Sequence, residues 1–174
     1  MNGIPDIQEK ISKRKNISLF KEIKSDEESM RRIAGLLTTE SHKKGKPVIT
    51  DGDDGDSLYI IKSGTVEIIK STMQKDPYMV AKLSADMNIF FGEMALIDPD
   101  KRSAGVVCAT DCEFYVIKRD NFLELSAHYP AIGFAIFREL SKILCGRLRK
   151  ANSDIICLFG ALVEEVVESG GLSE

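Results

Sequence analysis

From Lys43 onward the spacing of apolar residues changes, and that change narrows the folds open to the chain. Six short β-rich runs succeed one another: PVIT (47–50), SLYIIKSG (57–64), TVEIIKS (65–71), YMVAKL (78–83), AGVVCAT (104–110) and EFYVI (113–117). Clusters of Gly, Asp, Pro and Ser separate them. Many short strands broken by frequent turns predict a barrel or jelly roll.

Helical periodicity flanks this block on both sides. Residues 4–20 read as a helical arm with Ile4, Ile7 and Ile11 on one face and a solvated basic run, Lys13-Arg14-Lys15. Ser25-Asp26-Glu27-Glu28 has the form of a capping box with Ser25 at the cap, opening a helix that turns Met30, Ile33, Ala34, Leu36 and Leu37 inward. After Lys118, Phe122, Leu123 and Leu125 mark a short helix, and Pro130 suits the first turn of another. Its apolar spacing runs from Ile132 to Leu148, resumes at Ile155 and continues to Val167 before Gly170-Gly171. Gly146 and Gly160 are weak points within it. The expected organisation is an N-terminal helical arm (1–38), a β jelly roll (39–128) and a C-terminal helix (129–169): mainly β with flanking helices.

The 174 residues suffice for one domain with a core, and 43% hydrophobic with 29% charged content describes a globular chain. A net charge of −3 provides no basic field for nucleic acid. No apolar run approaches the roughly 18 residues of a membrane span. The N-terminus lacks a secretory apolar stretch, so a cytoplasmic location is expected. Cys108, Cys112, Cys145 and Cys157 have no C-x-x-C spacing and read as buried reduced thiols. With only His42 and His128, the chain offers no zinc or cupin-type metal set, and no nucleophile–base constellation is visible. No enzyme, no cofactor and no metal are expected.

The acidic stretch DGDDGD (51–56) invites a calcium reading. An EF-hand loop needs a bidentate carboxylate at its twelfth position. Counting from Asp51 puts Lys62 there, and counting from Asp54 puts Thr65 there. Both frames fail. The glycines are instead expected to supply positive φ, and the aspartates to bond local backbone amides, in a tight connection between strands.

Chemistry concentrates in FFGEMALIDPDKRSAGVVC (90–108). Gly92 permits a close turn, and Glu93 to Ile97 can form one short helical turn stopped at Asp98-Pro99. The amides at its start form an anion cradle. Arg102 brings a planar fork suited to phosphate, with the Ser103 hydroxyl beside it. Glu93 would pair with Arg102 or accept hydrogen bonds from ligand hydroxyls. The bland alternative makes Arg102 a surface cation paired with Asp98 or Asp100.

These residues resemble the cyclic nucleotide-binding domain family, which includes catabolite activator proteins and protein kinase A regulatory subunits. Its phosphate-binding cassette, an apolar residue followed by G-E-x-A-L, a spacer and R-[S/A/T]-A, is matched by Phe91-Gly92-Glu93-Met94-Ala95-Leu96 and Arg102-Ser103-Ala104. An earlier family signature is matched by Val48-Ile49, Gly52-Asp53, Gly55, Leu58-Tyr59-Ile60-Ile61 and Gly64. The resemblance covers about residues 18–152. It implies a double-stranded β-helix jelly roll with a cassette at 90–104.

Carried onto the matching positions, Arg102 would pair with the cyclic phosphate and Glu93 would accept the ribose 2′-hydroxyl. The amides around Met94 and Ala95 would hold phosphate oxygens, and Ser103 or Ala104 would complete the cradle. The C-terminal helix would act as lid and dimer seam, offering Arg149, Ala151 and Asn152 near the base. The implied ligand is a cyclic mononucleotide, cAMP or cGMP, with cAMP preferred. A homodimer through the apolar stripe 155–167, an unidentified downstream protein and no DNA-binding module complete the expectation. The alternative is a ligand-silent jelly roll acting through association alone.

Overall fold

In the computed structural model, residues 16–71 and 76–170 are described, with 168–170 in backbone only; of the expected helical arm at 4–20, residues 4–15 lie outside them, and Ser18–Phe20 forms a short 3-10 helix. Eight strands build two four-stranded antiparallel sheets: β1 (Thr38–His42), β2 (Pro47–Ile49), β3 (Ser57–Ser63), β4 (Thr65–Ser71), β5 (Pro77–Ser84), β6 (Phe90–Phe91), β7 (Gly105–Cys108) and β8 (Cys112–Lys118). One sheet runs β1-β8-β3-β6 and the other β2-β7-β4-β5. The strands are thus shared between two sheets with crossovers, the arrangement of the expected jelly roll. All six apolar runs form strands.

Two strands carry no apolar alternation. β1 is Thr-Thr-Glu-Ser-His, an edge strand that pairs Thr38–His42 against Val116–Cys112. β6 is two residues long and pairs Phe91 with Tyr59 and Phe90 with Ile60. The central cluster includes Ile49, Tyr59, Ile61, Phe91, Val106, Phe114 and Val116, drawn from both sheets. Tyr59 stacks on Phe91 at 5.3 Å between ring centroids, and Phe114 meets Phe91 edge-on at 5.7 Å. Each such buried side chain stabilises the fold by roughly 1.5–3 kcal/mol. Phe91 also anchors the chain immediately before Gly92, and so fixes where the cassette begins.

Helix α1 (Glu27–Leu36) buries Met30, Ile33 and Ala34. Its cap is Asp26, one residue later than expected: the carboxylate accepts from the amides of Glu28 at 3.1 Å and Ser29 at 3.3 Å. A carboxylate is the stronger acceptor toward a helix start, which displaces Ser25 from the role. α2 (Arg119–His128) follows β8 directly, and α3 (Pro130–Gly170) is continuous through Gly146 and Gly160. Two compact units divide the chain, Met1–Glu139 and Leu140–Glu174. Among the described residues no helix is long and apolar enough to cross a membrane.

The cysteines depart from expectation. Cys108 and Cys112 are buried, but Cys145 and Cys157 are exposed on α3, and all four are free thiols. Burial pushes the Cys108 thiol up to about 12, with the Cys112 side chain reinforcing the shift. It stays protonated and inert at neutral pH.

Candidate functional site

The site begins where β6 ends. Gly92 has φ +72°, in the left-handed region, and swings the chain from the buried Phe91 into a 3-10 turn over Glu93–Leu96. The Ala95 amide closes that turn by donating to Gly92 O at 3.3 Å. Glu93, Ala95 and Leu96 are buried while Met94 is exposed, so the turn lies flat against the roll with one residue outward. A 3-10 turn cannot satisfy the amides at its own start, which makes that end electropositive.

The second arm carries Arg102. Its backbone is held from both directions by the acidic loop: Arg102 N donates to Asp53 O at 2.8 Å, and Gly52 N donates to Arg102 O at 2.9 Å. One position earlier, Lys101 bridges Asp54 and pairs with its carboxylate at 2.7 Å. Fixed in this way, the half-buried side chain reaches back toward β6. Arg102 Nη1 donates to Gly92 O at 3.2 Å, and Nη2 donates to Ser57 O at 2.9 Å. One guanidinium therefore ties the start of β3 to the entry of the 3-10 turn. Arg102 does not bond Asp98 or Asp100 in these contacts, and Asp100 instead accepts from the Lys101 amide at 2.7 Å.

The acidic loop plays a different part from the one its letters suggest. Gly52 does adopt positive φ, but Gly55 does not. Gly55 is needed for room: a Cβ there would stand 2.0 Å from Arg102 Nε. Nor do Asp54 and Asp56 act mainly on local amides. They meet Lys101 and Lys118, which arrive from the cassette and from the end of β8. Asp56 also accepts from the hydroxyl of the fully buried Ser57 at 2.6 Å, and its carbonyl accepts from the Arg119 amide at 2.7 Å. The Ser57 hydroxyl, then the Lys118 ammonium, hold the Asp56 carboxyl below its usual value.

Burial lowers the Arg102 pKa, while Tyr59, Asp56 and Glu93 act in the opposite sense. An arginine starts high enough to remain charged throughout. The result is a fixed cation, partly stripped of water, with two of its five N–H donors committed to the Gly92 and Ser57 carbonyls.

Of the residues expected at the site, Gly92, Glu93, Met94, Ala95, Arg102 and Ser103 converge. The exposed Ser103 hydroxyl points to Met94 Sδ at 3.9 Å, joining the two arms of the cassette. Ala104 is half-buried just before β7. Asn152 belongs to the helical unit and is exposed. Sequence reasoning misses Gly55 and Ser57 as supports of Arg102; the only signal for them is the G-D-x-G spacing of the loop. A separate surface cleft of about 380 Å³, lined by Lys43, Asp111, Cys112 and neighbours, contains none of the cassette residues.

The profile of the cyclic nucleotide-binding domain matches residues 39–129, more than half of the chain. This chain belongs to the cyclic nucleotide-binding domain family. The domain is 31% identical over 114 residues to the cyclic AMP receptor protein of Thermus thermophilus, covering 66% of this chain and 50% of that protein. It is 30% identical over 141 residues to human cGMP-dependent protein kinase 2, covering 80% of this chain and 17% of the kinase. The chain thus spans half or less of these relatives. A cyclic nucleotide-binding domain from Methylobacillus flagellatus superposes with a TM-score of 0.73 at 26% identity, covering 90% of this chain and 91% of that one.

Proposed function

We propose that this cyclic nucleotide-binding domain is a cytoplasmic sensor of a cyclic mononucleotide, with cAMP preferred, and that it catalyses nothing. The observation that carries the reading is the Arg102 guanidinium held over Gly92 O and Ser57 O, beside the electropositive start of the Glu93–Leu96 turn and the buried carboxylate of Glu93. A cyclic phosphate would meet the remaining Arg102 donors and the amides around Met94 and Ala95. Ser103 and Ala104 would close the cradle. Glu93 would accept the ribose 2′-hydroxyl. The relatives' names support the ligand class: one is a receptor for cyclic AMP and another a cGMP-dependent kinase.

Signalling requires that ligand favour one conformation over another. The fork supplies a means. It holds two backbone carbonyls, and a phosphate drawing on the same group would shift the Gly92 turn relative to β3. Output would pass to a downstream protein or through self-association of the helix Leu140–Gly170. Isothermal titration calorimetry with cAMP and cGMP tests the reading. Binding heat abolished by Arg102→Ala is expected. No heat with either nucleotide at high micromolar protein would leave a ligand-silent, associating jelly roll.

A further inference from the structure

Met94 is the outward residue of the Glu93–Leu96 turn, 48% exposed between the buried Glu93 and Ala95. Its sulfur stands 3.9 Å from the exposed Ser103 hydroxyl, across the two arms of the cassette. A thioether is a weak acceptor, and that separation is long, so Ser103 is held only loosely. Met79 and Met87 are equally open, whereas Met30 is buried. Met79 belongs to β5 and Met87 to the 3-10 turn Ala85–Met87, so neither is part of the cassette. What sets Met94 apart is the group its sulfur faces.

We propose that Met94 is an oxidation site of the cassette, and that its sulfoxide captures the Ser103 hydroxyl and weakens binding of a cyclic mononucleotide. The proposal rests on the reading of the cassette as a cyclic phosphate site. A hydroperoxide is the oxidant. The sulfur lone pair attacks one peroxide oxygen, the S–O bond forms and the O–O bond breaks. Sulfur is oxidised by two electrons and the peroxide is reduced. The transferred oxygen gives up its proton to the departing hydroxide, which leaves as water. The new oxygen stands one bond length nearer Ser103 than the sulfur does. That closes the gap to an ordinary O–H···O separation of about 2.7–2.8 Å. The sulfoxide is chiral, and the epimer whose oxygen faces Ser103 makes the bond. Its oxygen is also far more polar than the thioether it replaces. The Ser103 hydroxyl is then committed to Met94 and lost to the phosphate, and a negative oxygen dipole borders the cradle.

Full-length Cys145→Ser/Cys157→Ser protein, freed of the two exposed thiols, should be treated with hydrogen peroxide and then quenched. Peptide mass spectrometry should show one added oxygen at Met94, Met79 and Met87, and none at Met30. Calorimetry with cAMP and cGMP should show affinity about tenfold lower, the loss of one hydrogen bond to a charged group. Methionine sulfoxide reductases should restore it. Met94→Leu and Ser103→Ala, in the same background, are each compared with their own untreated form. Oxidation should change affinity less than twofold in both. Met94 left unoxidised while Met79 and Met87 gain oxygen overturns the site. An equal loss of affinity in Ser103→Ala overturns the capture, and an equal loss in Met94→Leu moves the effect to another methionine and overturns the proposal. Untreated protein that binds neither nucleotide removes the sensor reading instead. Thermal melts then decide the capture: oxidation should raise the midpoint of the parent relative to Ser103→Ala, and equal shifts overturn it.

Discussion

A methyl group at position 55 would stand 2.0 Å from Arg102 Nε and 2.4 Å from its Cζ. No real Cβ contact is that short, so the guanidinium crosses position 55 only because the residue is glycine. Gly55→Ala should therefore push Arg102 off Gly92 O and Ser57 O without disturbing the sheets. We expect a stability loss of about 1–2 kcal/mol, since a hydrogen bond to a charged donor contributes roughly 1.5–3 kcal/mol and water recovers part of it. Nucleotide affinity should fall by a larger factor than stability suggests. Paired calorimetry and thermal melts read both effects. Wild-type affinity in this variant would show that Arg102 need not lie where it does.

Arg102 itself separates charge from geometry. Arg102→Ala removes the cation and leaves two carbonyls unsatisfied, so affinity should drop on the order of 100-fold or more, the equivalent of two charge-assisted hydrogen bonds. Arg102→Lys keeps the charge, but an ammonium cannot span Gly92 O and Ser57 O in one plane as the fork does. It should recover only part of the loss. Equal binding by the lysine and wild-type proteins would make the site a point charge and the fork irrelevant.

Acid should loosen the support beneath Arg102. The Asp56 pKa is depressed in the folded chain, chiefly by the Ser57 hydroxyl and then by Lys118, from an ordinary value of 3.8. A depressed carboxylate adds stability that is fully present above its unfolded pKa and is lost as pH falls through the lower folded value. The window accordingly lies below about pH 4. Because Asp56 is largely open to solvent, screening keeps the effect small. Asp56→Asn should be less stable than wild type at neutral pH, with the gap closing in that acid window. Denaturant melts across pH 2–7 would measure it; a gap that stayed constant throughout would detach Asp56 from the acid limb.

What the residues disclose and what they hide divides along a physical line. The pattern of short β-rich runs set off by turn residues reveals six strands. It misses β1, whose Thr-Thr-Glu-Ser-His letters hold no apolar residue and whose place comes from hydrogen bonds to β8. It misses β6 because two residues have no period. The cassette is legible since Gly92, Glu93 and Arg102 are distinctive types at fixed spacing. The partners of Arg102 are not, because two are backbone carbonyls, which every residue carries. Gly55 hides its role for a related reason: a glycine required for clearance and one required for positive φ look alike in a sequence.

The long helix offers a prediction in the stabilising direction. Gly146 and Gly160 lie inside α3 at positions where an added Cβ meets nothing within 4 Å, and neither has positive φ. Neither glycine is thus required by the backbone or by packing among the described residues. Glycine in a helix interior costs roughly 0.5–1 kcal/mol relative to alanine. Gly160→Ala should raise helix content in far-ultraviolet circular dichroism and stabilise the helix by about that amount, with nucleotide affinity unchanged. Gly146→Ala should behave likewise, and the double variant should be close to additive, because the two lie far enough apart along the helix not to share contacts. A drop in stability on Gly160→Ala would mean that this face packs closely against something.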